Sequence, residues 1–154
     1  ELPINSIENV EFTENEMVVI APPGHKLTQK EIIEAKDLAE FPLILFTQET
    51  PTRKAIDRFF RKHNVRPNVA MELDHIATMK HAVEVDIGIS IVPLNSIEEE
   101  IERGTLCYLP IDDRGFVRPL GILYRKGRSL SVATQKLLDV LLEGAGKNAF
   151  VPSK

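Results

Sequence analysis

PLILFTQETPTRKAIDRFF, residues 42–60, decides the fold of this chain. An apolar run from Leu43 to Phe46 stops at a polar turn, Thr47 to Thr52, and an amphipathic pattern begins at once. Ala55, Ile56, Phe59 and Phe60 fall on one face of that pattern. The segment reads as a buried strand feeding a helix over residues 52–63 through a short loop rich in hydroxyl, amide and carboxylate groups. A helix start presents unpaired backbone N–H groups and the positive end of its dipole. At the carboxyl end of a strand in an α/β sheet it is a natural seat for a small polar or anionic molecule. The segment is suited to binding, and nothing in it is arranged to cut a bond.

Further strands and helices extend on both sides. EMVVIA at residues 16–21 reads as a strand closed by Pro22, Pro23 and Gly24. Thr28, with Glu31 as its capping-box partner, predicts a short helix over residues 29–35. After the central helix, Asn64 and Pro67 act as stops, and residues 69–73 alternate as a third strand. Asp74 is expected to cap a third helix with Ile76, Met79, Ala82 and Val83 inward. GISIV at residues 88–92 is a fourth strand. A fourth helix starts at Asn95 or Ser96 and ends at Gly104. Residues 106–111 and 117–124 are two more strands, separated by Asp112, Asp113, Arg114 and Gly115. Ser129 or Ser131 caps a last helix that carries Leu130, Ala133, Leu137, Leu138 and Leu141. Strands alternate with helices from Glu16 to Glu102, which implies an α/β fold: a Rossmann-like, mostly parallel sheet with right-handed crossovers and helices on both faces.

The bulk composition narrows the class. The chain has 154 residues, 43% of them hydrophobic, enough for one average domain or two small lobes with a real core. No apolar run approaches the ~20 residues of a membrane span, and the N-terminal ELPINSIENVEF lacks the basic and apolar regions of a secretory signal. The single Cys107 excludes an internal disulfide and fits a reducing cytoplasm. A net charge of −4 argues against this chain being the surface that meets nucleic acid.

The polar turn is the leading ligand candidate, through Thr47, Gln48, Thr50, Thr52 and Arg53. An ordinary helix start capped by Thr50 explains the same residues, and Arg53 reads either as a carboxylate clamp or as a solvated helix residue. Asp74 and His75 open the next helix and form a second-rank candidate, with His75 as an exposed first-turn residue the alternative. Metal chemistry finds no support: His75 and His81 are six apart, on different helix faces, and His25 and His63 fall in loops. Ser90 sits mid-strand without the second glycine of a nucleophile elbow, and Cys107 reads as a small core residue. Glu98, Glu99, Glu100 and Glu102 look like a solvated helix face. No phosphate-binding glycine motif occurs, and Arg125, Lys126 and Arg128 read as a sheet-edge cap. The chain is expected to carry no cofactor and no catalytic group.

In order and spacing these segments resemble the effector-binding domain of LysR-type transcriptional regulators. The matching pieces are EMVVIAPPGHKL, PLILF with TRKAIDRFF, MELDHIATMKHAVEVDIGISIVP, GTLCYLPI and RPLGILYRKGRSLSVATQKLLDVL, which cover almost everything from Phe12 to Leu142. The resemblance implies a cytoplasmic bacterial regulator with a periplasmic-binding-protein-like domain of two lobes joined by two hinge strands. Such domains bind a small, often anionic metabolite between the lobes and pair as antiparallel dimers. On that analogy residues 1–20 are the first crossing and a remnant of the first lobe. Residues 21–118 are the second lobe, 119–143 the return strand and last helix of the first lobe, and 144–154 a frayed tail.

The family's winged helix-turn-helix, linker helix and first half of the first lobe are not in this sequence. The chain is therefore expected to be a C-terminal fragment with a half-built cleft, meeting DNA only through a missing N-terminal domain. Asp86 stands where the family usually has glycine, and Asp tolerates the left-handed backbone better than most residues. The last helix needs its apolar face covered, which implies a homodimer or a rearranged docking. The leading function is a small-molecule sensor. A solute-binding protein of transport is the alternative, and a small α/β enzyme the third.

Overall fold

A computed structural model describes residues 6–113, 116–127 and 129–145. These divide into two compact units, one spanning Glu16–Arg118 and the other formed by the segments on either side. The larger unit contains the inner part of β1 (Ile7–Ala21), then α1 (Ala35–Leu38), β2 (Leu43–Phe46), α2 (Pro51–Lys62), β3 (Val69–Leu73), α3 (Ile76–Glu84), β4 (Ile89–Pro93), α4 (Glu98–Arg103) and β5 (Cys107–Pro110). The strand order is β3-β2-β4-β1-β5, and β6 (Val117–Arg125) also pairs with β1. The smaller unit holds the outer parts of β1 and β6 and the helix α5 (Val132–Ala145).

β2 runs parallel to β3 and β4, with Phe46 opposite Leu73 and Leu43 opposite Ile89. β1 is antiparallel to both β4 and β5, with Val18 opposite Val92 on one side and Pro110 on the other. The sheet is therefore mixed, with β2, β3, β4 and β5 all pointing one way against β1. The connection β2–α2–β3 steps outward, and β3–α3–β4 steps back across β2. Right-handed crossovers in opposite directions put α2 and α3 on opposite faces. That is why LILF in β2 and ISIVP in β4 are buried at every position, like strands covered on both sides. Their core partners are Val18, Val19 and Ile20 from β1, Ile56 and Phe60 from α2, and Met79 and Val83 from α3, all at most 1% exposed. Each such side chain contributes about 1.5–3 kcal/mol by leaving water.

Several local expectations need correction. The helix expected over residues 29–35 does not form. The chain makes a 3₁₀ turn at Lys26–Gln29, and Thr28 Oγ1 donates to the His25 carbonyl instead of capping a helix. Ile33 is extended because its N–H donates to the Pro110 carbonyl at 2.9 Å and its carbonyl accepts from Asp112 N–H at 2.8 Å. A pairing across the chain wins there over local propensity. The fourth helix splits into a 3₁₀ turn, Leu94–Ser96, and α4. β1 begins at Ile7, well before residue 16. Asp86 does take the left-handed conformation, at φ 59°. Two residues on, Gly88 lies so close to the Pro42 carbonyl that a Cβ would strike it. Cys107 is half-buried, not a core residue. Arg114, Gly115, Arg128 and the tail from residue 146 lie outside the described residues.

Candidate functional site

The loops after β2 and β4, adjacent parallel strands, leave in opposite directions. Residues from Thr47 to Thr50 lead to α2 on one face, and Leu94–Ser96 leads to α4 on the other. Ligands in open α/β sheets sit outside the strand carboxyl ends at such a reversal. The backbone around the first loop can be accounted for group by group. Thr47 N–H donates to the Leu73 carbonyl at 3.1 Å, and Thr50 N–H to the Thr47 carbonyl at 3.1 Å. Pro51 has no N–H. Arg53 N–H is capped by Thr50 Oγ1 at 3.1 Å, and Lys54 N–H bonds the Thr50 carbonyl. Among the described residues this leaves the N–H groups of Gln48, Glu49 and Thr52 without a protein acceptor, at the positive end of a 12-residue helix.

Thr50 is spent as the cap: its hydroxyl accepts from Arg53 N–H and donates to the Thr47 carbonyl at 2.9 Å. Thr52 is buried, Thr47 is half-buried and Gln48 is exposed, its amide 3.5 Å from Glu72 Oε1. Arg53 is the surprise. Expected as a clamp or a solvated residue, it is only 6% exposed. Its Nη1 donates to the Phe46 carbonyl at 2.8 Å and to Glu72 Oε1 at 2.7 Å, and its Nε donates to Asp57 Oδ1 at 2.9 Å. The solvated reading is wrong because those three partners replace water around the guanidinium. Burial works against its charge, but the Glu72 and Asp57 hydrogen bonds outweigh burial and raise its pKa. The same Arg53 bond holds the Glu72 carboxyl below its ordinary range. Arg53 thus ties α2, β2 and β3 together directly beneath the loop.

Asp74 and His75 follow the edge strand β3, one strand further out from the β2–β4 reversal. Their side chains are 71% and 80% exposed. His75, not Asp74, is the N-cap of α3, and it makes no side-chain cap bond. The turn after β4, not singled out as a site in the sequence, borders the same strand reversal as the loop after β2. Lys80 Nζ donates to the Ser96 carbonyl at 3.0 Å and pairs with Glu100 at 2.7 Å, which fixes that turn. Only the strand order reveals it. Elsewhere, Ser90 Oγ is fully buried and donates to the Ile44 carbonyl at 2.6 Å, a structural bond. Among the described residues no three His, Cys, Asp or Glu side chains stand together as metal ligands, and no helix is long and apolar enough to cross a membrane.

Comparison with known proteins agrees with this architecture. The family model for the LysR substrate binding domain matches residues 2–146. The HTH-type transcriptional activator CmpR of Synechocystis is 35% identical over 130 residues, 84% of this chain but only 43% of that protein. The regulatory domain of Synechocystis CcmR, solved with 2-PG, superposes with a TM-score of 0.83 at 31% identity, covering 97% of this chain and 72% of that one. The effector-binding domain of QuiR, solved with shikimate, gives a TM-score of 0.81 at 25% identity, covering 97% and 70%. The first of these is a transcriptional activator and the other two are a regulatory and an effector-binding domain, each solved with a small molecule; the fold is the periplasmic-binding-protein-like one that the resemblance implied. With the model matched across nearly its whole length, the chain belongs to the LysR substrate binding domain family, the effector-binding part of LysR-type transcriptional regulators.

Proposed function

We propose that this chain senses a small polar or anionic metabolite at the carboxyl ends of β2 and β4, and that binding biases a DNA-binding domain carried by the full-length protein. The observation that carries this reading is the set of three unpaired N–H groups, Gln48, Glu49 and Thr52, at the start of α2 beside a strand reversal. Thr47, Gln48 and Thr52 line the seat, Thr50 and Arg53 hold its shape, and Asp74 and His75 form its outer margin. The ligands bound by the two solved relatives support a small-molecule effector. The signal would arise from unequal ligand affinity for two arrangements of the domain. In this reading residues 21–118 are the second lobe, residues 1–20 and 119–143 belong to the first, and 144–154 are a tail. The regulator works in the cytoplasm as a dimer. Val132, Leu137 and Val140 on α5 are 59–76% exposed, an apolar face that favours self-association; a concentration-independent monomer in sedimentation would count against it.

Thermal-shift measurement on the full-length regulator tests the ligand seat, with 2-PG, shikimate and a panel of carboxylates and phosphates. An effector present at about a hundred times its Kd adds about 2.7 kcal/mol. Gln48→Glu places a negative charge in the seat on an exposed loop. It is expected to abolish the shift while lowering the unliganded Tm only slightly, because the Glu72 carboxylate it faces is about a third exposed and paired with Arg53. A shift that survives both Gln48→Glu and Thr52→Ala moves the site elsewhere.

A further inference from the structure

α2 has a second end. Its 12 residues, at 1.5 Å each, carry the chain about 18 Å from the ligand seat. There Asn64 turns in the left-handed conformation, at φ 54°, and an open cleft of about 600 Å³ lies beside the approach to β3. Half-buried Val65 and Pro67, backed by the buried Phe60, give the cleft an apolar lining, and Arg61 and Arg66 a cationic one. Its carboxylate, Asp57, is already bound by Arg53.

The positive charge extends along the helix. Lys54, Arg58 and Arg61 are exposed and, at spacings of four and three, share one face. The Arg58 and Arg61 Nε groups reach only helix carbonyls, those of Lys54 and Asp57, both at 3.3 Å. Lys62 pairs with Asp113 at 2.7 Å, whereas among the described residues Lys54, Arg58, Arg61 and Arg66 have no carboxylate partner. Helix electrostatics does not account for this band. Cations are favoured only in the last turn, which covers Arg61 and Lys62. Lys54 lies near the positive end, and Arg66 lies beyond the helix. A chain of net charge −4 thus concentrates unpaired cations around one partly apolar cleft.

We propose that this cleft and its cationic band dock an acidic segment of a partner protein. An aliphatic or aromatic side chain rests on Val65 and Pro67, and carboxylates pair with Arg61 and Arg66, whose planar guanidinium groups suit them. Charge complementarity selects a negative occupant. The apolar floor selects a peptide over a phosphate backbone, which has no apolar group to seat there. This surface is separate from the ligand seat, so the two readings stand or fall independently.

Fluorescence anisotropy with the full-length protein tests the proposal, using a short labelled peptide of glutamates around one leucine. The peptide is expected to bind, more weakly as salt rises. Replacing its leucine by serine, or making Arg61→Glu with Arg66→Glu in the protein, is expected to weaken binding about tenfold or more. The ligand-induced thermal shift is expected to be unaffected. Arg66→Glu alone, outside the helix, serves as the variant if the double change impairs folding. No binding, binding indifferent to the charge reversals, preference for duplex DNA over the peptide, or loss of self-association in the same variants would each overturn the assignment, the last two by identifying DNA or a second copy as the occupant.

Discussion

Replacing Arg53 by methionine is expected to destabilise the protein by about 1–3 kcal/mol. The side chain is 8% exposed and donates to the Phe46 carbonyl at 2.8 Å. Phe46 itself is only 8% exposed, so water does not fully replace the lost donor, and a buried polar group left short of a partner costs about 1–3 kcal/mol. The Asp57 and Glu72 side chains are 37% and 36% exposed. They rehydrate when the guanidinium leaves, and their pairing adds nothing to the figure. Arg53→Ala also removes two stem methylenes from the interior, at about 0.8 kcal/mol each, and is expected to cost about 1.6 kcal/mol more. Glu72→Gln leaves the Phe46 bond in place and is expected to be the mildest of the three. Urea unfolding at neutral pH reads the series directly. With a slope of about 2 kcal/mol per molar, a loss of 2 kcal/mol moves the midpoint by about 1 M. If Arg53→Met unfolds within about 0.2 M of the parent, or Glu72→Gln is the most damaging change, the buried carbonyl is not what Arg53 holds and the reasoning fails.

Gly88→Ala is expected to cost about 1–3 kcal/mol, because the new Cβ collides with the Pro42 backbone carbonyl, which has no rotamer to escape into; its urea midpoint should fall well below that of an exposed control. Asp113→Asn should cost about 1–2 kcal/mol by cutting the bonds to Lys62 at 2.7 Å and His63 at 3.4 Å. Stability is also expected to decline in acid. Burial opposes ionisation of Asp113, but Lys62 and His63 outweigh it, and Asp37 is lowered in the same way by Lys30 and the Glu34 N–H against its own burial. Carboxylates with lowered folded pKa values stabilise the fold above the unfolded value of about 4, and that contribution is lost as pH falls through the folded values. A Tm profile flat from about pH 7 to 5 and falling below about 4, with a shallower fall in Asp113→Asn, is the expected result; a Tm that rises on acidification reverses the sign and refutes it.

The unit β2–α2–β3 was legible almost residue for residue because its signals are local. Four apolar residues fill β2, Thr50 and Pro51 start α2, Asn64 and Pro67 stop it, and alternation marks β3. The failures share the opposite cause. Ile33 leaves helical geometry for a pairing with Pro110 and Asp112, far along the chain. The outer part of β1 is polar enough to resemble a loop and becomes a strand by pairing with β6. In the site, the unpaired helix start could be read from the polar turn. The burial of Arg53 could not, since its partners are a backbone carbonyl and a glutamate 19 positions away. The turn after β4 gains its importance only from lying next to β2 in the sheet.

The Arg53 junction separates two tasks that a binding site usually entangles. The side chains open to variation, Gln48 and Glu49, project from a loop whose shape is set by other residues: Thr50, Arg53, Glu72 and the end of β2. In the proposed site, exchanging the former would change what is recognised and leave the fold's energy nearly untouched, whereas exchanging the latter would damage folding before it altered recognition. A scaffold divided in this way can drift from one effector to another through single substitutions, each intermediate remaining a folded protein.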